Sequence, residues 1–443
     1  MATTATTWGS RIGFILAGAG SVIGLGSIWK FPFWAGINGG SGFIIPYILF
    51  TFTIGITLLI AELVVGRAGR GSAFNALKKL GGPAFTVMGG IAVLTSFVIL
   101  SYYSVVGGWC VKYLVDSIIG NAVTSDPKAL QATFGNLVSD GIANSLWHMS
   151  FLTLTCGVVA AGVVNGIERL SKYLLPTLFI LMIVIMVRSL SLPGAMEGVK
   201  FLFDFSFDKL TWMGVLNAMG FTFFSLSLGC GIMVTYGAYL KPSTDIPNSS
   251  LWIAYLAIQT ALLAGLMIMP AVFAMGQDPN AGPGLVFVTI PFIFSQIPFG
   301  WFFMILFNVC LLVAALTSSV SLLEVCIAYL QNEWNMKRLT ASVLCYVGLG
   351  LLGIVSALSF GVWSDMTIFG RIFFDFLDWF CSNIMMPLGG LSIAILAGWK
   401  AWNSTYVQVN LVKNYGPAAN AFIKFSLRFL APILVLVVIA TGV

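Results

Sequence analysis

Residues 18–32, GAGSVIGLGSIWKFP, lie inside an apolar run long enough to cross a bilayer, yet they are poorly suited to one unbroken helix. Gly18, Gly20, Gly24 and Gly26 each cost a helix about 1 kcal/mol relative to alanine, and Pro32 withholds a backbone donor. The expected result is a break over residues 21–26. Broken backbone at membrane depth exposes N–H and C=O groups that lipid cannot satisfy, so it persists only where it is buried in protein or lines a wet cavity. Such a gap is suited to a ligand: the N-terminus of the outer half-helix favours an anion, and the freed carbonyls favour a cation. The alternative is a glycine-rich helix that packs closely on its neighbours.

The rest of the chain places this segment in a membrane. Of 443 residues, 59% are hydrophobic and only 8% charged, where a soluble domain carries about a quarter charged residues. Apolar runs of span length fall near 10–35, 41–66, 86–119, 146–164, 169–190, 212–240, 249–275, 300–331, 339–358, 369–398 and 421–442. The opening MATTATT lacks a basic region, so no cleavable signal peptide is expected. Basic residues such as Arg11, Arg67, Arg70, Lys78, Lys79, Arg169, Lys172, Lys241, Lys337, Arg338, Lys400 and Lys413 gather on one side of these spans. That asymmetry puts the N-terminus in the cytoplasm and the C-terminus outside, in a cell inner membrane. It also explains the net charge of +6 without a nucleic-acid partner. The seven cysteines form no CxxC pair, and the single histidine, His148, is expected at a membrane interface, so zinc or haem ligation is not expected. The absence of a nucleophile and base pair argues against an enzyme, and the sparse charges at span ends argue against a channel.

A second interruption decides the architecture. Residues 221–236, FTFFSLSLGCGIMVTY, cluster Ser225, Ser227, Gly229 and Gly231 inside the sixth apolar run. Corresponding breaks five spans apart predict an inverted-repeat transporter: an all-α polytopic protein of eleven helices, with repeats over 1–190 and 212–400 and discontinuous first and sixth helices. Residues 191–211 form an outer connection, and 276–300 a Gly/Pro-rich cap dipping toward the core. Residues 401–420 form a polar linker, followed by an accessory span over 421–443. Gly166, ten residues before Pro176, marks a hinge at the start of the fifth span.

The motifs GSVIGLGSIWKFP and NGGSGFIIPY, SYYSVVGGW in the third span, FFSLSLGCG in the sixth, GPGLVFVTIP in the cap and ALTSSVSLLE in the eighth closely resemble the neurotransmitter:sodium symporter family, of the LeuT fold. The resemblance runs through spans one to ten, and the eleven-span form looks like the bacterial amino-acid branch. It implies one intact sodium site from the carbonyls of Gly20, Ile23 and Ala314 and the hydroxyls of Thr317 and Ser318. These two hydroxyls could otherwise serve as helix–helix hydrogen bonders. The second sodium site of the family is depleted: two asparagine positions are Ser27 and Ala257 here, leaving Val22, Ser27 and Ser225. One coupled sodium, or a weak second site, is therefore expected. For chloride, Tyr47 and Ser225 offer hydroxyls, but Phe221 and Ala261 replace the remaining polar positions, so chloride-independent transport is expected.

The resemblance further places substrate between the two breaks, against Ser21, Val22, Gly24, Leu25, Gly26, Ile99, Tyr103, Phe224, Ser225, Ser227, Cys230, Ser318 and Leu322. Gly24 stands where amine-transporting relatives carry an aspartate, so the substrate must bring its own carboxylate. Cys230 is small, which enlarges an apolar pocket and suits a bulky aliphatic or aromatic amino acid. Lys30 and Asp378 occupy the outer-gate positions above Tyr103 and Phe224, with solvation of charges near helix ends as the weaker alternative. Trp8 and Tyr239 match the inner gate, but its ion-pair positions hold Ala5 and Asn332. Glu324, inside the eighth span, is expected to accept a structural hydrogen bond near the cytoplasmic side. The sequence thus reads as a sodium-coupled importer of a neutral amino acid; a proton-coupled or uncoupled carrier on the same fold is the alternative. Its expected partners are the amino acid and the lipid bilayer, with a homodimer left open.

Overall fold

The computed structural model describes residues 7–120, 126–279 and 284–441. Among these, nine helices are long and apolar enough to cross a membrane, and a tenth span comes from the pair Arg11–Val22 and Gly26–Ile37, bent by 55°. Two shorter helices, Trp212–Ser225 and Ile232–Ala238, stand where the sixth span is expected. An eleventh span is reached only if these two count as one interrupted crossing. Several helices begin earlier than the hydropathy runs: the fourth at Gly141 and the fifth at Val163. Asp140 caps the fourth by accepting from the amides of Ile142 and Ala143, an electrostatic start signal that hydropathy does not register.

The glycine-rich first span is both broken and closely packed, so its two readings coexist. The helix ends at Val22, and Ile23 leaves the helical region with φ −92° and ψ 80°. The chain rewinds as a π-helical turn over Gly26–Lys30. In the sixth span the turn between the half-helices carries Ser227 at φ 51° and Gly229 at φ 85°. A Cβ on Gly229 would stand 1.9 Å from the Met386 carbonyl oxygen, so this turn meets the tenth span backbone to backbone. The inner half of the sixth span lies equally close to the second, where a Cβ on Gly66 would fall 2.0 Å from the Val234 carbonyl oxygen. Close backbone approach of this kind replaces the hydrophobic driving force that lipid removes.

The third span, Pro83–Ile119, packs along the eighth, Gly300–Glu333, and along Gly141–Ala160; the inner half of the first span lies against the fifth, seventh and eighth. His148 is fully buried rather than interfacial: Gly353 of the ninth span and Gly108 of the third leave room for its ring and backbone. The segment expected as an outer cap folds from Gly284 into a short apolar helix, Leu285–Ser295. Its Phe287 is fully buried, with ring centroids 5.8 Å from Trp109 and 5.4 Å from Phe134. The expected polar linker contains a helix, Trp402–Val409. It is anchored where Arg67 of the second span donates to the Gln408 side chain and carbonyl, both at 2.6 Å, and where Tyr415 donates to Asp245 at 2.7 Å. Burial and the adjoining Asp245 carboxylate push the Tyr415 hydroxyl above its usual pKa.

Candidate functional site

The two breaks face each other across a cavity of about 310 Å³. All thirteen residues expected to meet substrate line it, from Ser21 and Val22 through Tyr103, Phe224 and Cys230 to Ser318 and Leu322. The facing backbones are tied directly: Ser227 Oγ donates to the Ser21 carbonyl at 3.2 Å. The Cys230 thiol is turned onto the Ser227 carbonyl at 2.9 Å, and Ser96 donates to the Cys230 carbonyl at 2.6 Å. The Leu25 amide, at the start of the outer half-helix, donates to the Tyr103 hydroxyl at 3.2 Å. Tyr103 thereby accepts from the half-helix end, and its hydroxyl also lies within hydrogen-bonding reach of the Ser318 hydroxyl.

Next to this cavity the first and eighth spans exchange oxygen contacts. Ser318 Oγ donates to the carbonyls of Gly20 and Ser21, each at 3.2 Å. Thr317 Oγ1 is 3.1 Å from the carbonyls of Val313 and Ala314. Gly20 permits the approach, since a Cβ there would stand 3.2 Å from that of Thr317. Together with the carbonyl of Ile23, whose φ and ψ leave the helical region while its amide still donates to Ala19, these are neutral oxygens of the type that replaces the water shell of a hard monovalent cation. The donor set fits sodium chemically.

In the second oxygen set the hydroxyls, like that of Thr317, turn back onto their own backbone. Ser27 Oγ donates to the Val22 carbonyl and Ser225 Oγ to the Thr222 carbonyl, both at 3.3 Å. Ala257 is fully buried at the position where an amide would have been needed. Nearby, Tyr47 sits in an aromatic box, with centroids 5.6 Å from Phe31 and 5.2 Å from Phe221, beside the fully buried Ala261. The Tyr47 hydroxyl faces the side chains of Ser225 and Thr51, so the polar groups of this region are hydroxyls, with no amide side chain among the residues named.

On one side of the cavity Lys30 Nζ is 3.1 and 3.2 Å from the two carboxylate oxygens of Asp378 and 4.1 Å from the centre of the Phe224 ring. The two charges expected at the outer gate are therefore paired over the aromatic lid rather than merely solvated. Lys30 ends the π-helical turn Gly26–Lys30, and Asp378 precedes the turn Cys381–Met385, local windings that recur at functional sites. On the opposite side the Trp8 indole donates to the Tyr236 carbonyl at 3.0 Å, and its amide to the Tyr239 carbonyl at 3.1 Å. Asn332 only donates back to Ala328 of its own helix; Ala5 lies outside the described residues. Gly166 lies in a π-helical turn, Val163–Glu168, and Pro176 inside the following helix. The expected hinge is fully wound.

Several participants escaped the sequence reading. Glu324 does accept a hydrogen bond, from Tyr239 at 2.8 Å, but it also forms an ion pair with Arg338. Arg338, read only as a topology marker, is therefore tied through Glu324 to Tyr239. Glu168 binds the amides of Gly9 and Ser10 at 2.7 and 3.1 Å, fastening the hinge turn to the chain just before the first span. Glu62, fully buried, accepts from the Gly229 amide at 2.7 Å and so fixes the sixth-span turn. A lone glutamate in the apolar run IAELVVG was the available signal. Met386, Trp109, Phe360, Phe374 and Asp375 also line the cavity, but their spacing carries no trace of it.

Two broken helices around a cavity between paired closures define a membrane transporter of the LeuT fold, with a 5+5 inverted repeat, rather than an enzyme. A solved structure described as MhsT in complex with L-phenylalanine aligns with a TM-score of 0.92 and 38% identity, over 99% of this chain and 100% of that one. The Bacillus subtilis protein named uncharacterized sodium-dependent transporter YhdH is 41% identical, covering 97% of this chain and 96% of that protein. A Haemophilus influenzae protein, also named an uncharacterized sodium-dependent transporter, is 36% identical over 98% and 97% of the two chains. Residues 5–125 and 136–443 match the Sodium:neurotransmitter symporter family, and the chain belongs to that family.

Proposed function

We propose that this protein is a symporter that couples one sodium ion to import of a neutral amino acid with a bulky aliphatic or aromatic side chain. The observation that carries the reading is the junction at Ser318, whose hydroxyl meets Gly20 and Ser21 carbonyls on the wall of the substrate cavity. Cation and substrate would share the same unwound segment, so occupancy of one organises the backbone that holds the other. Sodium would be held by the carbonyls of Gly20, Ile23 and Ala314 and the hydroxyls of Thr317 and Ser318. The substrate carboxylate would face the Gly26 end of the outer half-helix and the Tyr103 hydroxyl. Its ammonium would face carbonyls of Ser21, Phe224 and Ser227, and its side chain Ile99, Cys230 and Leu322. The MhsT relative was solved with L-phenylalanine, which supports a large side chain here.

Transport would proceed by opening Lys30–Asp378 toward the outside, and Trp8–Tyr239 together with Glu168 toward the cytoplasm, with unwinding near Gly166 and Pro176. The repeats over 1–190 and 212–400 would rock about the site, with the N-terminus cytoplasmic. The loss of both amide side chains, to Ser27 and the buried Ala257, supports a single coupled sodium and keeps a proton-coupled or uncoupled carrier as the second reading. Proteoliposomes loaded without sodium decide. Inward sodium should drive uptake of phenylalanine or leucine but not glycine, and chloride replacement by gluconate should leave the rate unchanged. Sodium-independent uptake, or a reversal potential giving two sodium ions per substrate, would overturn the corresponding part.

A further inference from the structure

After Asp378 the sequence contains no further acidic residue, yet it carries Lys400, Lys413, Lys424 and Arg428. Two of these lie where a charge is costly. Arg428 stands seven residues, about 10 Å along the helix, beyond Ala421, where the last apolar run begins. A guanidinium at that depth needs an anion, water or a route to the headgroups. Its Nε donates to the Gly398 carbonyl at 2.7 Å, and the guanidinium lies 5.0 Å from the centre of the Trp399 ring. One turn earlier, on the same face, Lys424 lies 5.4 Å from the centre of the Trp402 ring. Neither forms an ion pair within the described residues. The second-span helix packed against this turn supplies one carboxylate, Glu62, and that one is turned inward onto the Gly229 amide. Trp399, Phe425 and Phe429 around the two cations are all exposed on the outer surface of the helix bundle.

We propose that Lys424 and Arg428, framed by Trp399 and Trp402, bind the phosphate headgroup of an anionic phospholipid, whose acyl chains lie on Phe425 and Phe429. The charge is complementary, the rings are amphipathic and suited to the headgroup boundary, and the flanking phenylalanines offer the apolar surface that a free phosphate would not use. With the orientation proposed above, this is the cytoplasmic leaflet, where the lipid would be held between the tenth span and the last.

The test is native mass spectrometry and detergent thermal melting of the purified full chain with phosphatidylglycerol, phosphatidylcholine or glycerol 3-phosphate added. Phosphatidylglycerol should be retained and raise the melting temperature, whereas the other two should do neither. Each basic residue near a headgroup contributes about 1 kcal/mol, so Lys424→Gln/Arg428→Gln should bind phosphatidylglycerol about thirty-fold more weakly. The single variant Lys424→Gln should lose about five-fold and serves if the double variant fails to fold; Lys128→Gln, on the opposite side, should lose nothing. Equal retention of phosphatidylcholine, an equal effect of glycerol 3-phosphate, or unchanged binding by Lys424→Gln overturns the proposal. Sodium-driven uptake is measured separately on the same preparations, so failure of the lipid site is distinguished from failure of the transport reading.

Discussion

Replacing Gly24 by alanine should injure the cation and substrate subsites together. The new Cβ would stand 2.5 Å from Ser318 Oγ and 3.1 Å from the Tyr103 hydroxyl. Ser318 would have to turn away from the Gly20 and Ser21 carbonyls, each 3.2 Å away, and Tyr103 from the Leu25 amide, also at 3.2 Å. Overpacking costs about 1–3 kcal/mol, and each lost hydrogen bond about 0.5–1.5 kcal/mol. The expected outcome is a sodium affinity lowered by about ten- to a hundred-fold, with phenylalanine affinity falling in parallel. Sodium titration of radiolabelled phenylalanine binding in detergent measures both. Ser318→Ala alone removes the same hydroxyl without crowding, so it should weaken sodium to a similar degree. The informative experiment is the double variant: if Gly24→Ala acts by displacing Ser318 Oγ, the two sodium effects will not add, because contacting residues are coupled. Sodium losses that multiply in the double variant, or a Gly24→Ala protein with wild-type sodium affinity, would refute the reasoning.

Other perturbations follow from the same geometry. Lys30→Ala should speed dissociation of bound substrate toward the outside while changing the melting temperature little, because the Lys30–Asp378 pair is partly exposed and such pairs contribute under about 1 kcal/mol. Lys30→Arg should slow dissociation through its planar fork, and equal off-rates for the three proteins would count against a gate. Cys230→Leu should cost phenylalanine binding about ten-fold and leave alanine unaffected, since it fills part of the cavity that Cys230 lines together with Ile99 and Leu322; competition binding with both amino acids measures the ratio. Arg338→Gln, which leaves Glu324 buried without its cation, should destabilise the fold by about 3–5 kcal/mol. Adding Glu324→Gln should recover part of that loss in thermal melts, and no recovery would show that the charge pair is not the cause.

The broken first and sixth spans were legible in the chain because they are local, whereas the thirteen cavity residues and the Thr317–Ser318 pair were reached through the family resemblance. Glycine crowding and hydroxyls inside apolar runs violate the rules for a lipid-exposed helix wherever they fall. The outer gate was legible only through family resemblance, since Lys30 and Asp378 are far apart in sequence and either charge alone reads as solvated surface. His148 was misplaced for a related reason. A polar residue near the start of an apolar run looks interfacial, and only the glycines at 108 and 353, from two other spans, show that it is enclosed.

By itself the sequence determined that the chain crosses the membrane repeatedly and that two crossings are cut where peptide dipoles can meet a zwitterion and a cation. Tertiary structure alone decided which carboxylate meets which partner: Glu62 on the Gly229 amide, Glu168 on Gly9 and Ser10, and Glu324 on Arg338. The physical reason is range. Hydropathy and helix breaking act within a few residues and can be read along the chain, whereas a buried charge is stabilised by whatever the fold brings within hydrogen-bonding distance.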